Sequence, residues 1–526
     1  MISYVVIFVA GFVVAAITRT VGIYLYRIWF YQGFTGDSSI HFSIIRHLKR
    51  DAANPFIDQY LMGNEPMCYP LGFHRIAKLF SEDTIKKYSW LPNLCIFSFF
   101  TAAYLDFTHY VEKVLLLRDG NALLYTVAFV YFVSISNLVF NGPAIAYIKL
   151  SERLLGRMST SFYFLLLFAY LYWGSNLSLA LSVIFGGVAV LSSIFARQSL
   201  LFTTMLLSLL SFDPMPLLSV VCSFTLAVVL SGRYFLRGMK NTVRQWSIYH
   251  DFVSKSLFVQ QAMSSFISLK GFIDNVMCKG ILKMLKKAVL YFLSKEPTRA
   301  IAYYPEIVLL GWLILFVAGE SIDLYHLIAP VLATVVVYFA TSTQFLNQLG
   351  ESYRYIEYDL SFILPLAVGL VAVHSQVSSS LILFVFYSAY VSAFVVFSAW
   401  YFSKAVVRGC KIPQKDSLSE FLDSLGLAEE AVVFPVTMRF GADICARGNY
   451  RSFWWQPGVI NTSFLDEFIE EYPYLKKDWL PLCKKYNVTH VIHAKSAIEK
   501  IDWQYDFSDL RLLKETDSYI AYEVTV

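Results

Sequence analysis

Long apolar runs separated by polar stretches recur up to about residue 403. A helix needs about 20 apolar residues to cross a hydrocarbon core of about 30 Å, and fewer where a span is short or re-entrant. Counted this way the chain carries about eleven spans, near residues 4–26, 90–109, 122–140, 159–173, 176–195, 199–212, 215–231, 303–319, 323–341, 360–375 and 380–402. The predicted fold class is a polytopic α-helical membrane protein. The region 159–231 divides in more than one way, so the count carries a margin of a span or two. An odd number of spans puts the chain ends on opposite sides. All long loops then share one face: 27–89, 141–158, 232–302, 342–359 and everything after residue 403. The other face keeps short connections such as Asp213-Pro214 and Gly319-Glu320-Ser321, so the chemistry is expected on the elaborated side.

From Lys404 the pattern changes to short apolar runs between charged residues, as in a soluble domain. Val432-Val433-Phe434 and Val488 to Ile492 read as buried strands, Asp466 to Tyr472 and Lys477 to Tyr486 as helices, and Ile520 to Val524 as a final strand. The expected organisation is a transmembrane domain over 1–403, containing a first loop at 27–89 and a long basic loop at 232–302. A small α/β domain over 404–526 follows.

Composition agrees with the pattern: 57% of residues are hydrophobic and 15% charged, which a soluble domain of this length does not tolerate. Aromatics at 17% suit helix ends at a membrane interface. A net charge of +5 is too small to indicate a nucleic-acid partner. The basic residues gather instead in loops, notably Arg233, Arg237, Lys240 and Arg244, then Lys279, Lys283, Lys286 and Lys287. Apolar residues interleave there at helical spacing, as in helices lying on anionic lipid. The seven cysteines are scattered, with neither CxxC nor metal-ligand spacing. The apolar N-terminus lacks a basic leader and a small-residue cleavage site, and reads as a retained first span.

Chemistry concentrates in two loop segments. In the first, Gly36-Asp37-Ser38-Ser39-Ile40-His41 runs on to Arg46 and then to Tyr69-Pro70-Leu71-Gly72-Phe73-His74. Asp37 follows a glycine and opens a helical pattern at the membrane surface, where it reads either as a plain N-cap or as a general base. His41 shares its face one turn later. The second segment, Gly350-Glu351-Ser352-Tyr353-Arg354-Tyr355-Ile356-Glu357-Tyr358-Asp359, precedes a late span. Arg354 there is either a snorkelling interfacial arginine paired with Glu351 or Glu357, or a phosphate ligand, for which guanidinium offers charged bidentate donors. Arg197, between two apolar runs, is a further candidate, and a short polar turn explains it equally well.

A carboxylate just after the first span, a helical histidine and arginine stretch, and a Tyr-Pro-Leu-Gly segment resemble the first external loop of the GT-C superfamily. The oligosaccharyltransferase catalytic subunits and related polyprenyl-phosphate-sugar transferases are the nearest pattern. The many-span body and the C-terminal α/β domain share the resemblance, although only these two segments carry it at residue level. It implies an inverting membrane glycosyltransferase that moves a sugar from a polyprenyl-phosphate-linked donor to a glycan, lipid or protein acceptor. Asp37 would be the base and Arg354 the leaving-group ligand, with His41, His74, Tyr69, Glu351 and Arg197 lining the pocket. The paired acidic motif common in that family is here a single Asp37 between Gly36 and Ser38, which weakens the expectation of a divalent cation (Mg or Mn). Basic loops counted alone would be cytoplasmic. The resemblance instead places the site and the C-terminal domain outside the plasma (inner) membrane, and that is the expectation adopted. A transporter or flippase of lipid-linked saccharides and a non-catalytic polysaccharide-assembly subunit are the alternatives.

Overall fold

The structure is a computed structural model that describes residues 2–30, 37–51, 60–61, 68–114, 150–251, 280–293, 324–342, 352–364, 417–428, 431–436, 440–448, 450–453, 480–495 and 506–525, with isolated positions between them. The predicted spans 122–140 and 380–402, nearly all of 303–319, about half of 360–375, and the predicted helix 466–472 lie outside the described residues.

The helical body begins with α1 (Ile2–Phe30), whose partner is α5 (Leu91–Val114). It continues through α6 (Arg153–Trp173), α7 (Asn176–Ser192), α8 (Ile194–Ser211), α9 (Met215–Asp251), α10 (Ile281–Leu293) and α11 (Leu324–Thr341). Four segments, Leu91–Val111, Arg153–Trp173, Ile194–Ser211 and Met215–Val243, are long and apolar enough to cross a membrane. Tyr4–Ile17, Asn176–Ser192 and Ile328–Thr341 are shorter apolar helices. The apolar runs among the described residues thus become helices with shifted boundaries: α6 starts at Arg153, with Arg157 buried inside it, α8 starts at Ile194, and α9 runs on past residue 231. Helix α6 is the centre of the bundle, buried along most of its length, and Ser175, accepting a hydrogen bond from the Ser178 N–H (3.3 Å), caps α7 so that it folds back along α6. Helix α9 bends where the apolar run ends. Gly232 there has φ +52°, a left-handed value that other residues adopt only with strain, so the segment beyond turns away from the span.

On one side of the bundle the first loop forms α2 (Asp37–Arg50), α3 (Gly72–Ala77) and α4 (Glu82–Lys87). Ser81 caps α4 through its hydroxyl, which accepts from the Thr84 N–H at 3.0 Å, and Glu82 and Asp83 in its first turn suit the positive end of the helix. Gly72 lets α3 approach the end of α7 closely: a Cβ there would lie 2.6 Å from Ser192 Oγ and 3.0 Å from the Leu191 carbonyl. A short helix α12 (Tyr353–Asp359) packs against α6 and α11.

The chain after residue 416 forms α13 (Ser417–Leu425), α14 (Phe440–Arg447) and α15 (Leu480–Lys485) around a six-stranded sheet. Its strands are β1 (Tyr60–Leu61), β2 (Val432–Pro435), β3 (Arg451–Phe453), β4 (His490–Ala494), β5 (Arg511–Glu515) and β6 (Tyr519–Glu523), in the order β1-β3-β2-β4-β6-β5. Strands β1 to β4 pair in parallel, and β6 runs antiparallel to both β4 and β5. The fully buried β2 and the Ile492 region of β4 pack with Leu418, Phe421 and Leu422 of α13 and Ile444 of α14. Strand β1 comes from the first loop, so two parts of the chain far apart in sequence share one sheet.

Candidate functional site at the first loop

Helix α2 is wedged between the bundle and α14. Phe42, Ile44, Ile45 and Leu48 are buried, while His47, Lys49 and Arg50 occupy its last turn, where cations suit the helix dipole. Ser39 donates to Asp443 Oδ1 (2.5 Å), and Arg46 reaches the Gly448 carbonyl (3.1 Å) and Glu82 (3.3 Å). Asp37 is the first residue of α2, one turn before His41. Its side chain and Glu351 lie outside the described residues.

Three of the predicted residues, His41, His74 and Tyr69, come together with Glu152, which the sequence reading did not single out. His41 Nε2 lies 2.7 Å from Glu152 Oε2, and His41 Nδ1 lies 2.9 Å from His74 Nε2. His74 Nδ1 is 3.1 Å from the Pro70 carbonyl, and the Tyr69 hydroxyl donates to Glu152 Oε1 at 2.7 Å. The cluster is buried, His74 completely so. Burial, reinforced by the adjacent His41, lowers His74 to about 3, so its ring is neutral. Burial alone would raise the Glu152 carboxyl. His41, Arg153 and the Tyr69 hydroxyl outweigh it and hold the group well below the usual carboxylate range.

Next to Tyr69 a cleft opens between the first loop, the end of α7, the start of α8 and the bent part of α9. Cys68, Arg75, Arg197, Tyr234 and Phe235 are among its lining residues. Tyr234 clasps the loop by donating to the Tyr69 carbonyl (2.7 Å) and accepting from the Tyr69 N–H (2.8 Å). Arg197 is only 5% exposed. Its Nε donates to the Val190 carbonyl (2.8 Å), and its guanidinium lies 4.9 Å from the Phe235 ring centroid. Among the described residues no carboxylate pairs with it. A buried guanidinium without a counter-ion, beside a second arginine, is suited to an anion.

Arg354, on α12, does not line this cleft. Its guanidinium stands 5.3 Å from the ring of Phe195, two residues before Arg197. The sequence reading missed Glu152, Arg75 and Tyr234. Glu152 did carry one signal, a carboxylate at the mouth of an apolar run, whereas Arg75 and Tyr234 gain meaning only from the fold around Tyr69. Among the described residues no three His, Cys, Asp or Glu groups converge as metal ligands.

No protein family profile matches the chain, and no curated protein does. Among the solved structures that resemble it in outline are two membrane proteins. One is the archaeal oligosaccharyltransferase AglB from Archaeoglobus fulgidus, solved with an inhibitory peptide and a dolichol-phosphate. It aligns at TM-score 0.44 and 12% identity, over 93% of this chain and 69% of that one. The other is ArnT from Cupriavidus metallidurans in the apo state, at TM-score 0.38 and 12% identity, over 99% of this chain and 98% of that one. Likeness at these scores transfers no residue's role.

Proposed function

We propose that this chain is an inverting membrane glycosyltransferase that uses a polyprenyl-phosphate-linked sugar donor. The observation that carries the reading is Arg197, a buried guanidinium without a carboxylate partner among the described residues. It opens on a cleft whose other wall is the loop that follows the Asp37 helix. In the reaction, Asp37 takes the proton of an acceptor hydroxyl as that oxygen attacks the anomeric carbon. The bond from the anomeric carbon to the phosphate oxygen breaks, its electron pair leaves with the polyprenyl phosphate, and Arg197 and Arg75 stabilise the charge that develops. Arg354, around the Phe195 ring, is the second candidate for the carrier phosphate. The acceptor, whether glycan, lipid or protein, enters from the side of the C-terminal domain.

Proteoliposomes supplied with polyprenyl-phosphate sugars test this. Asp37→Asn is expected to slow transfer by about 10²- to 10⁴-fold, the ordinary contribution of a general base. Arg197→Gln is expected to slow it by about 10²- to 10³-fold, as for other donors aimed at developing charge. Wild-type rates in both variants at equal protein level would overturn the assignment.

A second reading, transport of the intact lipid-linked saccharide, is favoured by Asp359. This fully buried carboxylate is held by the hydroxyls of Ser199, Thr203 (2.7 Å) and Thr334 (3.3 Å) from α8 and α11. A carboxylate deep in a helical bundle is a usual feature of transport pathways.

A further inference from the structure

Glu152 takes no part in the transfer step, yet three segments of the protein meet at its carboxylate. The protons in the cluster can be counted from the hydrogen bonds. The Pro70 carbonyl only accepts, so His74 Nδ1 carries a hydrogen, and the neutral ring presents a lone pair at Nε2. That lone pair takes a hydrogen from His41 Nδ1, and the ionised Glu152 takes one from His41 Nε2. Both nitrogens of His41 are therefore donors, and the ring is an imidazolium paired with a carboxylate out of contact with water. His41 lies on α2, and Glu152 immediately precedes α6, the most buried helix of the bundle. The pair is thus a second polar fastening of the first loop to the bundle, beside the Tyr69–Tyr234 clasp, and it lies one turn from Asp37.

We propose that Glu152 is a positioning residue. Its carboxylate and the His41 imidazolium latch α2 onto the start of α6, and so fix where Asp37 stands. The proposal rests on the transferase reading above. The titratable and charged groups around the latch are Glu152, with Arg153 beside it, at the start of α6, His74 from α3, and Tyr69 from the loop between α2 and α3. Without the His41 ring, a buried carboxylate is left with the Tyr69 and Ser151 hydroxyls. Displacing a reacting group by about 1 Å costs about 10²-fold in rate.

The test is Glu152→Gln, which keeps the size and can still accept from Tyr69 but cannot hold an imidazolium. Transfer should slow by about 10²-fold with the KM for donor little changed. Glu152→Asp should recover part of the rate. Independently of activity, backbone amides of residues 37–50 should exchange faster in Glu152→Gln than in the wild type. If that variant does not accumulate, Tyr69→Phe, which deletes one donor to the same carboxylate, should show the faster exchange in milder form. An unchanged transfer rate together with unchanged exchange would overturn the latch. If Asp37→Asn is inactive while Glu152→Gln behaves as wild type, the latch alone fails. If Asp37→Asn is fully active, the transferase reading itself fails.

Discussion

His74 shows how a single side chain in this cluster couples protonation to folding. Its ordinary value is 6.5, and burial lowers it to about 3 in the folded protein. Between these values the unfolded chain holds a proton that the native chain does not, so stability falls as pH drops below 6.5. His74→Gln removes the titration. The expected outcome is that thermal stability in detergent falls between about pH 7 and about pH 5 in the wild type, and falls less in the variant. An equal drop in both would show that His74 is not held neutral. At this scale the sequence was informative about types and silent about partners. His41, His74 and Tyr69 were legible because they sit close together in one loop. Glu152 was not, because nothing in local spacing relates it to a histidine more than a hundred positions earlier.

Among the elements, α2 makes the most consequential contacts. Its helical pattern was readable from Asp37 onward, and so was its place after the first span. Its contact with α14 was not, because helix periodicity says which face is buried but not against what. Strand β1 is only two residues long, too short for any period-2 signal, so its place in the C-terminal sheet was equally invisible. The Ser39–Asp443 hydrogen bond gives this contact a measurable energy. In a double-mutant cycle on Ser39→Ala and Asp443→Asn, thermal or denaturant unfolding should give a coupling of about 1 to 3 kcal/mol, the range for hydrogen bonds to charged groups. Additive effects would mean that the two residues do not meet. The apolar spans were the most legible elements of all, since crossing lipid demands long uninterrupted runs that soluble helices do not need. The end of the apolar run at residue 231 was legible, but the chain there bends at Gly232 and stays helical to Asp251, where a loop was expected.

Taken as a whole molecule, the first loop meets the helices through Glu152 and Tyr234 and the C-terminal segment through Asp443 and Gly448. The sheet that β1 completes ties the first loop to the C-terminal segment, and the arginine-lined cleft lies between the loop and the helices. That arrangement suits an enzyme that meets a lipid-borne sugar at the membrane surface. The buried Asp359, by contrast, would serve a protein that carries the same lipid across. The most direct measurement supplies purified protein in proteoliposomes with a panel of radiolabelled polyprenyl-phosphate sugars and follows the label. The account predicts that label leaves the lipid for an acceptor in step with release of polyprenyl phosphate, and that both processes stop in Asp37→Asn. Label that crosses the bilayer still attached to its lipid, at the same rate with and without the Asp37 carboxylate, would contradict it.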